Sequence, residues 1–249
     1  GKGGVGKSTT SAGLACALNK LGFRVGLVDA DIYGPSTTFI TPSKRPSQMK
    51  DGLIIPPTFR GIKIINAAMF AEEGKAHILR GPMAGNLVKQ LINQTHWGKL
   101  DYLLIDYPPG TGDIQLSISQ SITLTAAILV SSPQKLALED TKKALLMFNT
   151  LKVDILGIVE TMSYFKCDNC DKKHQVLGKL GAKTITNQYG IKLLAQLPLN
   201  SDITDSSDQG RIQDCLDYYL PLAKSLKQQI TKLKLNSSST LSDFKIKWR

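Results

Sequence analysis

The first eight residues have the spacing of a complete phosphate-binding loop, G-x-x-x-x-G-K-S. Such a loop turns backbone N–H groups toward nucleotide phosphates, and its glycines let the chain approach them without a Cβ clash. Lys7 would reach the β- and γ-phosphates of a nucleoside triphosphate such as ATP, and the Ser8 hydroxyl would bind Mg²⁺. The pattern therefore predicts a nucleotide site at this end of the sequence.

Three carboxylates follow apolar segments that read as buried strands. Asp29 and Asp31 close one such segment, and Asp106 closes a later one. Mg²⁺ takes oxygen ligands and keeps several of its waters, so strand-end carboxylates beside a phosphate loop suit it. We expect Asp106 and Asp29 to hold Mg²⁺-bound waters and Asp31 to orient the attacking water, although an isolated Asp of this kind ordinarily caps a helix or turn. Gly110, in the turn after Asp106, would offer a backbone N–H to the γ-phosphate.

Lys2 is the unusual residue of the loop. Its side chain starts on the far side of the loop and has no obvious phosphate within its own subunit. A cation delivered to a partner's nucleotide would act like an arginine finger and neutralise charge that develops during transfer. A solvated lysine is the alternative.

Two of the four cysteines, Cys167 and Cys170, have the C-x-x-C spacing that brings two thiolates within reach of one metal. Two sulfurs cannot satisfy a metal that needs four ligands, which suggests ligation shared across a two-fold axis. His174 as a further ligand would give a zinc knuckle, and a redox dithiol is a third possibility. Spacing alone does not decide among shared metal ligation, a zinc knuckle and a redox dithiol. The nearby lysines, which would favour the thiolate form, are Lys166, Lys172 and Lys173.

The elements that position these residues alternate between continuous apolar strands and helices. Strands are predicted over 24–29, 62–66, 102–106, 126–131, 155–160 and 191–197. Helices are predicted over 8–21, 85–94, 136–151, 182–189 and 212–233. This alternation is typical of an α/β fold with a doubly wound, mainly parallel sheet and helices on both faces. Ligands in such sheets bind at the carboxyl ends of the strands.

The chain reads as one domain. Residues 1–235 are predicted to form it, and the Ser-rich stretch at 236–249 is predicted to be a disordered tail. The proline-rich segment 41–58 is predicted to be a loop. The strand that should feed into the phosphate loop is missing from the sequence, so we expect the first strand of the sheet to be truncated.

Composition and charge indicate a soluble protein with a basic C-terminal segment. The 249 residues can bury one large core, and no apolar run is long enough to cross a bilayer, so a soluble body is expected. The net charge is +11, of which residues 224–249 supply +6. A basic tail can attract nucleic acid or anionic lipid, and a solvated helix end explains the excess charge equally well.

Cys16 and Cys215 lie in helical patterns and read as buried thiols, since the chain is too Cys-poor for a disulfide scaffold.

Several motifs together resemble the Mrp/ApbC family, which are deviant P-loop ATPases related to MinD. The segments that carry the resemblance are KGGVGKST at 2–9, DADIYGPS at 29–36, RGPM at 80–83, PPGTGD at 108–113, SPQ at 132–134, MSYF at 162–165 and the C-x-x-C pair. The resemblance covers residues 1–212. Four residues depart from the family pattern: Thr161 stands where Asn is usual near the adenine, Lys135 stands where an acidic residue is common, and Asp168 and Asp171 stand where Pro and Gly are usual.

The resemblance implies a homodimer that sandwiches ATP, in which Lys2 crosses to the partner's nucleotide. It also implies a [4Fe–4S] cluster bridged by Cys167 and Cys170 of each subunit and handed to apo-proteins. The residues then expected to act in catalysis are Lys2, Lys7, Asp31 and Asp106. Those expected to bind the nucleotide are Gly1, Lys2, Gly3, Gly4, Val5, Gly6, Lys7, Ser8, Thr9 and Gly110.

The expected function is therefore that of an ATP-dependent iron–sulfur cluster carrier, in the cytoplasm or alternatively in the mitochondrial matrix. A MinD/ParA-like positioning ATPase that acts on membrane or DNA is the alternative. The basic, amphipathic helix near the C-terminus is consistent with this function. We expect that helix to pack on the sheet, without stable binding to nucleic acid or membrane.

Overall fold

The computed structural model describes residues 3–32, 34, 36–43, 48–66, 81–179 and 181–236. Gly1 and Lys2, which were expected to contact the nucleotide, lie outside the described residues, as do 237–249 of the predicted tail and parts of the motifs at 29–36 and 80–83. Asn236 is the last residue of a helix.

The helices are α1 (Lys7–Lys20), α2 (Thr37–Ile40), α3 (Gly81–Gln94), α4 (Asp113–Ser121), α5 (Lys135–Thr150), α6 (Lys183–Tyr189), α7 (Ser201–Asp208) and α8 (Leu216–Asn236). The strands are β1 (Val25–Asp29), β2 (Gln48–Lys50), β3 (Leu53–Ile55), β4 (Thr58–Phe59), β5 (Ile62–Asn66), β6 (Tyr102–Asp106), β7 (Ala127–Ser131), β8 (Ile155–Glu160), β9 (Phe165–Lys166), β10 (Lys173–His174) and β11 (Leu193–Gln196). A 3₁₀ turn at Ile212–Cys215 leads into α8.

The sheet is mainly parallel, as predicted. One group of strands has the order β4-β5-β1-β6 and a second has the order β11-β8-β7. Only β4 among these strands runs antiparallel to its neighbour. Asp29 is the register partner of Asp106 in the β1–β6 pairing, so both predicted carboxylates lie at the same end of the sheet.

Helices cover both faces of the sheet, which confirms the predicted α/β fold. Leu27 of β1 is fully buried in the core that α1 and α8 share, whereas the next residue, Val28, packs with Leu91 and Trp97 on the opposite face. Strands buried on both faces need continuous apolar sequence, and the predicted strands show it. Gly13 allows α1 and α8 to pack closely, because any Cβ at this position would lie only 2.6 Å from the ring of Tyr219.

A cavity of about 1720 Å³ separates the two groups of strands. Residues from the edges of β6 and β7 line it, together with Lys7 and Thr10 of α1. The strand expected ahead of the phosphate loop stays a prediction.

Two predictions about individual elements were wrong. The segment 41–58 was expected to be a loop, yet it contains an antiparallel hairpin of β2 and β3. Its turn residues Asp51 and Gly52 both have positive φ, 51° and 76°, and Asp-Gly is a common hairpin turn that the surrounding prolines outweighed. The helix expected at 85–94 begins at Gly81. Its glycines at 81 and 85 allow close contact with α4, since a Cβ at Gly85 would lie 2.7 Å from the Ser117 carbonyl.

The helix predicted over 212–233 begins with the 3₁₀ turn and continues to Asn236. Leu222 and Leu226 are buried against the sheet core, with Ile230 and Leu233 packed at its margin. The apolar face of α8 is thus used inside the fold. In the described part of the chain, no helix combines the length and the apolar character that crossing a membrane requires.

Candidate functional site

The described residues of the phosphate loop, from Gly3 onward, lead directly into α1. Gly4 and Gly6 have φ values of 77° and 78°, a left-handed conformation that suits glycine. Gly6 caps α1, and no side chain bonds to the helix cap and no acidic residue lies in the first turn. The backbone N–H groups of that first turn are the groups that bind anions at a helix N-terminus. The geometry is therefore that of a phosphate cradle.

Asp106 lies at the carboxyl end of β6 and is almost completely buried. The Ser11 hydroxyl donates to its Oδ1 at 3.0 Å, whereas Oδ2 has no hydrogen-bond partner among the described residues. Burial raises the pKa of Asp106 to about 6, an effect that the Ser8 hydroxyl and the charge of Lys7 partly offset. A buried, unpaired carboxylate oxygen beside a serine hydroxyl is a donor set that Mg²⁺ or a Mg²⁺-bound water fits.

Asp29 is fully buried and organises the turn that follows β1. Its Oδ2 accepts hydrogen bonds from the Thr37 backbone and hydroxyl, at 3.0 and 2.8 Å, and from the Asn66 amide at 3.3 Å. Its Oδ1 accepts the Asp31 N–H at 2.9 Å. Burial raises the pKa of Asp29, and these hydrogen bonds oppose the rise. In the structure this carboxylate therefore positions Asp31 and α2.

Lys7, Asp31 and Asp106 form one electrostatic group. Burial lowers the pKa of Lys7, and the charges of Asp106 and then Asp31 act in the opposite direction. The charges of both carboxylates act on Lys7, so the structure brings three of the four predicted catalytic residues together. The fourth, Lys2, lies outside the described residues.

Gln115 is a member of the site that the sequence did not reveal. It is buried on α4, and its side-chain amide donates to the carbonyls of Pro108 (3.3 Å) and Pro109. These bonds fix the turn that carries Gly110, whose φ is 95°. No motif flags a glutamine in this role, since its partners are backbone carbonyls that any residue supplies.

The two cysteines lie on a separate, exposed hairpin of β9 and β10. Cys167 donates its backbone N–H to the Lys172 carbonyl at 3.0 Å, and Asp171 donates to the Cys167 carbonyl at 2.9 Å. Asp171 has a φ of 55°, a conformation that explains why a glycine is usual there in the family it resembles. Cys167 is half-buried and Cys170 is exposed, so both thiols can be reached from outside.

Hydrogen bonds from the backbone N–H groups of Asn169 and Cys170 lower the pKa of Cys167. Contrary to the expectation, hydrogen bonds rather than the charges of nearby lysines lower this pKa, and two of the three lysines contact other groups. Lys166 pairs with Asp171 at 2.6 Å, and Lys173 lies 4.3 Å from the centre of the Tyr164 ring. The thiolate is the form of cysteine that binds metal, so the turn itself prepares Cys167 as a ligand.

The described residues contain no group of three or more His, Cys, Asp or Glu side chains placed to hold a metal ion. His174, the candidate third ligand of a zinc knuckle, therefore does not join the cysteine pair within one chain. The pair on its own supplies two of the four ligands that a cluster or a zinc ion takes.

A buried carboxylate, Glu160, anchors the segment that leads from the sheet to the hairpin. It accepts hydrogen bonds from the Ser163 hydroxyl, from the Ala182 backbone and, at 2.9 Å, from the Gln196 amide. The Gln196 amide also donates to the Ser163 hydroxyl at 2.8 Å. Sequence reasoning missed this network because its members are spread over three elements.

Replacing Glu160 by Ala is expected to lower the free energy of unfolding by about 3 kcal/mol, since it leaves several buried donors without an acceptor. Urea denaturation measures the change. Glu139→Ala removes an exposed carboxylate paired with Lys142 and should leave the free energy of unfolding near its wild-type value. Equal stabilities for the two variants would show that the Glu160 network does not anchor the segment.

Comparison with known proteins places this arrangement in a family. Residues 1–234 match the family described as ParA, NUBPL iron-transfer P-loop NTPase. An iron–sulfur cluster carrier protein of Pseudomonas fragi is 41% identical over 226 residues, which are 90% of this chain and 79% of that protein. One of Haemophilus influenzae is 45% identical over 212 residues, and there the chain spans 57% of its relative's length.

Among solved structures, a nucleotide-binding protein from Archaeoglobus fulgidus in complex with ADP superposes with a TM-score of 0.78 at 35% sequence identity. The match covers 88% of this chain and 87% of that one. The chain belongs to the ParA/NUBPL family of iron-transfer P-loop NTPases.

Proposed function

We propose that this chain is an ATP-dependent iron–sulfur cluster carrier that holds a [4Fe–4S] cluster between two copies of itself and passes it to apo-proteins. One observation carries the proposal: a single chain joins a phosphate cradle, with a buried and unpaired Asp106 oxygen, to an exposed cysteine pair that supplies only half of a cluster's ligands. The names of its relatives support the same function.

In the nucleotide half of the proposal, Lys7 neutralises charge on the β- and γ-phosphates and Ser8 binds Mg²⁺. Asp106 holds a Mg²⁺-bound water through its free Oδ2, and Asp31 orients the attacking water. Asp29 serves the ion only through water, because its oxygens already accept four hydrogen bonds. The Lys2 side chain is assigned to the partner's nucleotide by the family resemblance.

In the cluster half, Cys167 and Cys170 of each subunit give four thiolates. A cluster held at a two-fold axis by exposed hairpins is open to solvent and to a recipient, which suits delivery better than storage. Nucleotide binding or hydrolysis would change the geometry of the dimer and so change how firmly the four sulfurs hold the cluster.

Anaerobic reconstitution with iron and sulfide, followed by mixing with an apo [4Fe–4S] enzyme, tests the proposal. We expect recovery of the enzyme's activity in proportion to the cluster supplied, with a rate that changes when Mg²⁺-ATP is added. A reconstituted chain that holds a cluster yet restores no activity would contradict the carrier function. A transfer rate unaffected by nucleotide would contradict ATP dependence alone.

A different measurement distinguishes the cluster carrier from a positioning ATPase. The apolar face of α8 is buried on the sheet, which removes the surface that would insert into a membrane. We therefore expect no ATP-dependent co-sedimentation with anionic vesicles or DNA. Co-sedimentation that persists after both cysteines are removed would favour the positioning function.

A further inference from the structure

Thr161 connects the end of β8 to the phosphate loop. Its side chain is buried, and its hydroxyl donates to the Val5 carbonyl at 2.7 Å, across 156 positions of sequence. The Ser131 carbonyl lies 3.2 Å from the same oxygen. A hydroxyl has one proton, so the shorter contact, to Val5, is the stronger of the two.

The rest of Thr161 is held between the sheet and the loop. Its backbone N–H donates to the Ser131 carbonyl of β7 at 2.9 Å, which fixes the residue to the end of the sheet. On the other side, its methyl carbon lies 3.6 Å from where a Cβ at Gly6 would be. Thr161 therefore bonds to Val5 from a rigid support and lies beside Gly6.

We propose that Thr161 is a positioning residue of the nucleotide site, which holds Val5 and Gly6 so that the loop's N–H groups stay directed at the phosphates. The inference rests on the proposed nucleotide binding and deepens it. A loop fixed before the ligand arrives loses less conformational freedom on binding, and this raises affinity. Because the resembling family usually has Asn here, the hydroxyl contact is a property of this chain's own sequence.

The test measures the affinity of the full chain for Mg²⁺-ADP by calorimetry. Thr161→Val keeps the shape of the side chain and removes the donor, and we expect the Kd to rise about tenfold, equivalent to about 1.4 kcal/mol. Thr161→Ser keeps the hydroxyl and should bind within about twofold of the wild type. Thr161→Ala, which introduces no added bulk, should behave as Thr161→Val does and replaces it if that variant does not fold.

Thr95→Val is the matched control, because Thr95 is also buried but its hydroxyl donates to the Leu91 carbonyl of the preceding helix, α3. We expect it to lower the melting temperature without changing the Kd. If Thr161→Val also loses thermal stability and keeps its Kd, Thr161 is merely structural and the inference is overturned while the proposed function stands. A wild-type chain that binds no Mg²⁺-ADP overturns both.

Discussion

Replacing Asp106 by Asn should make the nucleotide-free protein more stable and reduce ATP hydrolysis by about 10²–10³-fold. The loss of activity follows from the proposed role of the carboxylate, since an amide cannot hold the Mg²⁺-bound water in the same way. The gain in stability follows from burial. An ionised carboxylate with one unpaired oxygen is costly in the folded state, and Asn removes the charge at nearly constant volume.

The pH dependence of this effect has a definite sign. The pKa of Asp106 is about 6 in the folded chain and about 3.8 in the unfolded chain. A pKa raised by folding contributes stability that is fully present below pH 4 and is lost as the pH rises through 6. At pH 7.5 the ionised group therefore costs on the order of 3 kcal/mol, and Asp106→Asn should recover about 1 to 3 kcal/mol of it.

Urea denaturation between pH 4 and pH 8, without Mg²⁺ or nucleotide, measures the change, and phosphate release measures hydrolysis. Asp154→Asn is the matched control, because that carboxylate is exposed just before β8. It should leave both quantities near their wild-type values. An Asp106→Asn chain that is less stable at pH 7.5, or that hydrolyses ATP at the wild-type rate, would contradict the assigned role.

Replacing Cys167 or Cys170 by Ala should abolish cluster binding altogether. Each substitution takes one thiolate from both subunits, so a shared cluster would lose two of its four ligands. After anaerobic reconstitution, the wild-type chain should hold about two iron atoms per chain, and either variant should hold close to none. Iron and sulfide analysis, with the visible absorption of the cluster, gives the readout.

Cys16→Ala controls for the loss of a thiol. Cys16 is buried in the α1 core, and burial raises its pKa to about 12, so it is not a thiolate ligand. Its removal should leave the iron content unchanged. Full iron content in the Cys167→Ala and Cys170→Ala chains would place the cluster elsewhere.

The fold and the main site residues could be predicted because they depend on local patterns. The spacing of the phosphate-loop glycines encodes their left-handed φ values, and a continuous apolar strand that ends in Asp106 places that carboxylate at the edge of the sheet. Short-range signals of this kind are visible without knowing what packs against them.

The contacts that hold the site together were not visible in the sequence, although Thr161 itself was singled out there as a departure from the family pattern. Gln115, Glu160 and Thr161 act through backbone atoms or through partners far away in sequence, and only the folded chain brings these together. The cause of the lowered pKa of Cys167 was likewise visible only in the folded chain. The nearby lysines suggested a cause, but the Lys166 and Lys173 side chains contact Asp171 and Tyr164, and backbone amides lower the pKa of Cys167.

The most direct test of the central claim is native mass spectrometry of the reconstituted chain, kept free of oxygen and supplied with Mg²⁺-ATP. The shared-cluster account predicts a species of two chains that carries one [4Fe–4S] unit and nucleotide, and that separates into single chains when the cluster is lost. Single chains with bound nucleotide and no iron, or a pair of chains joined by one zinc ion, would contradict it.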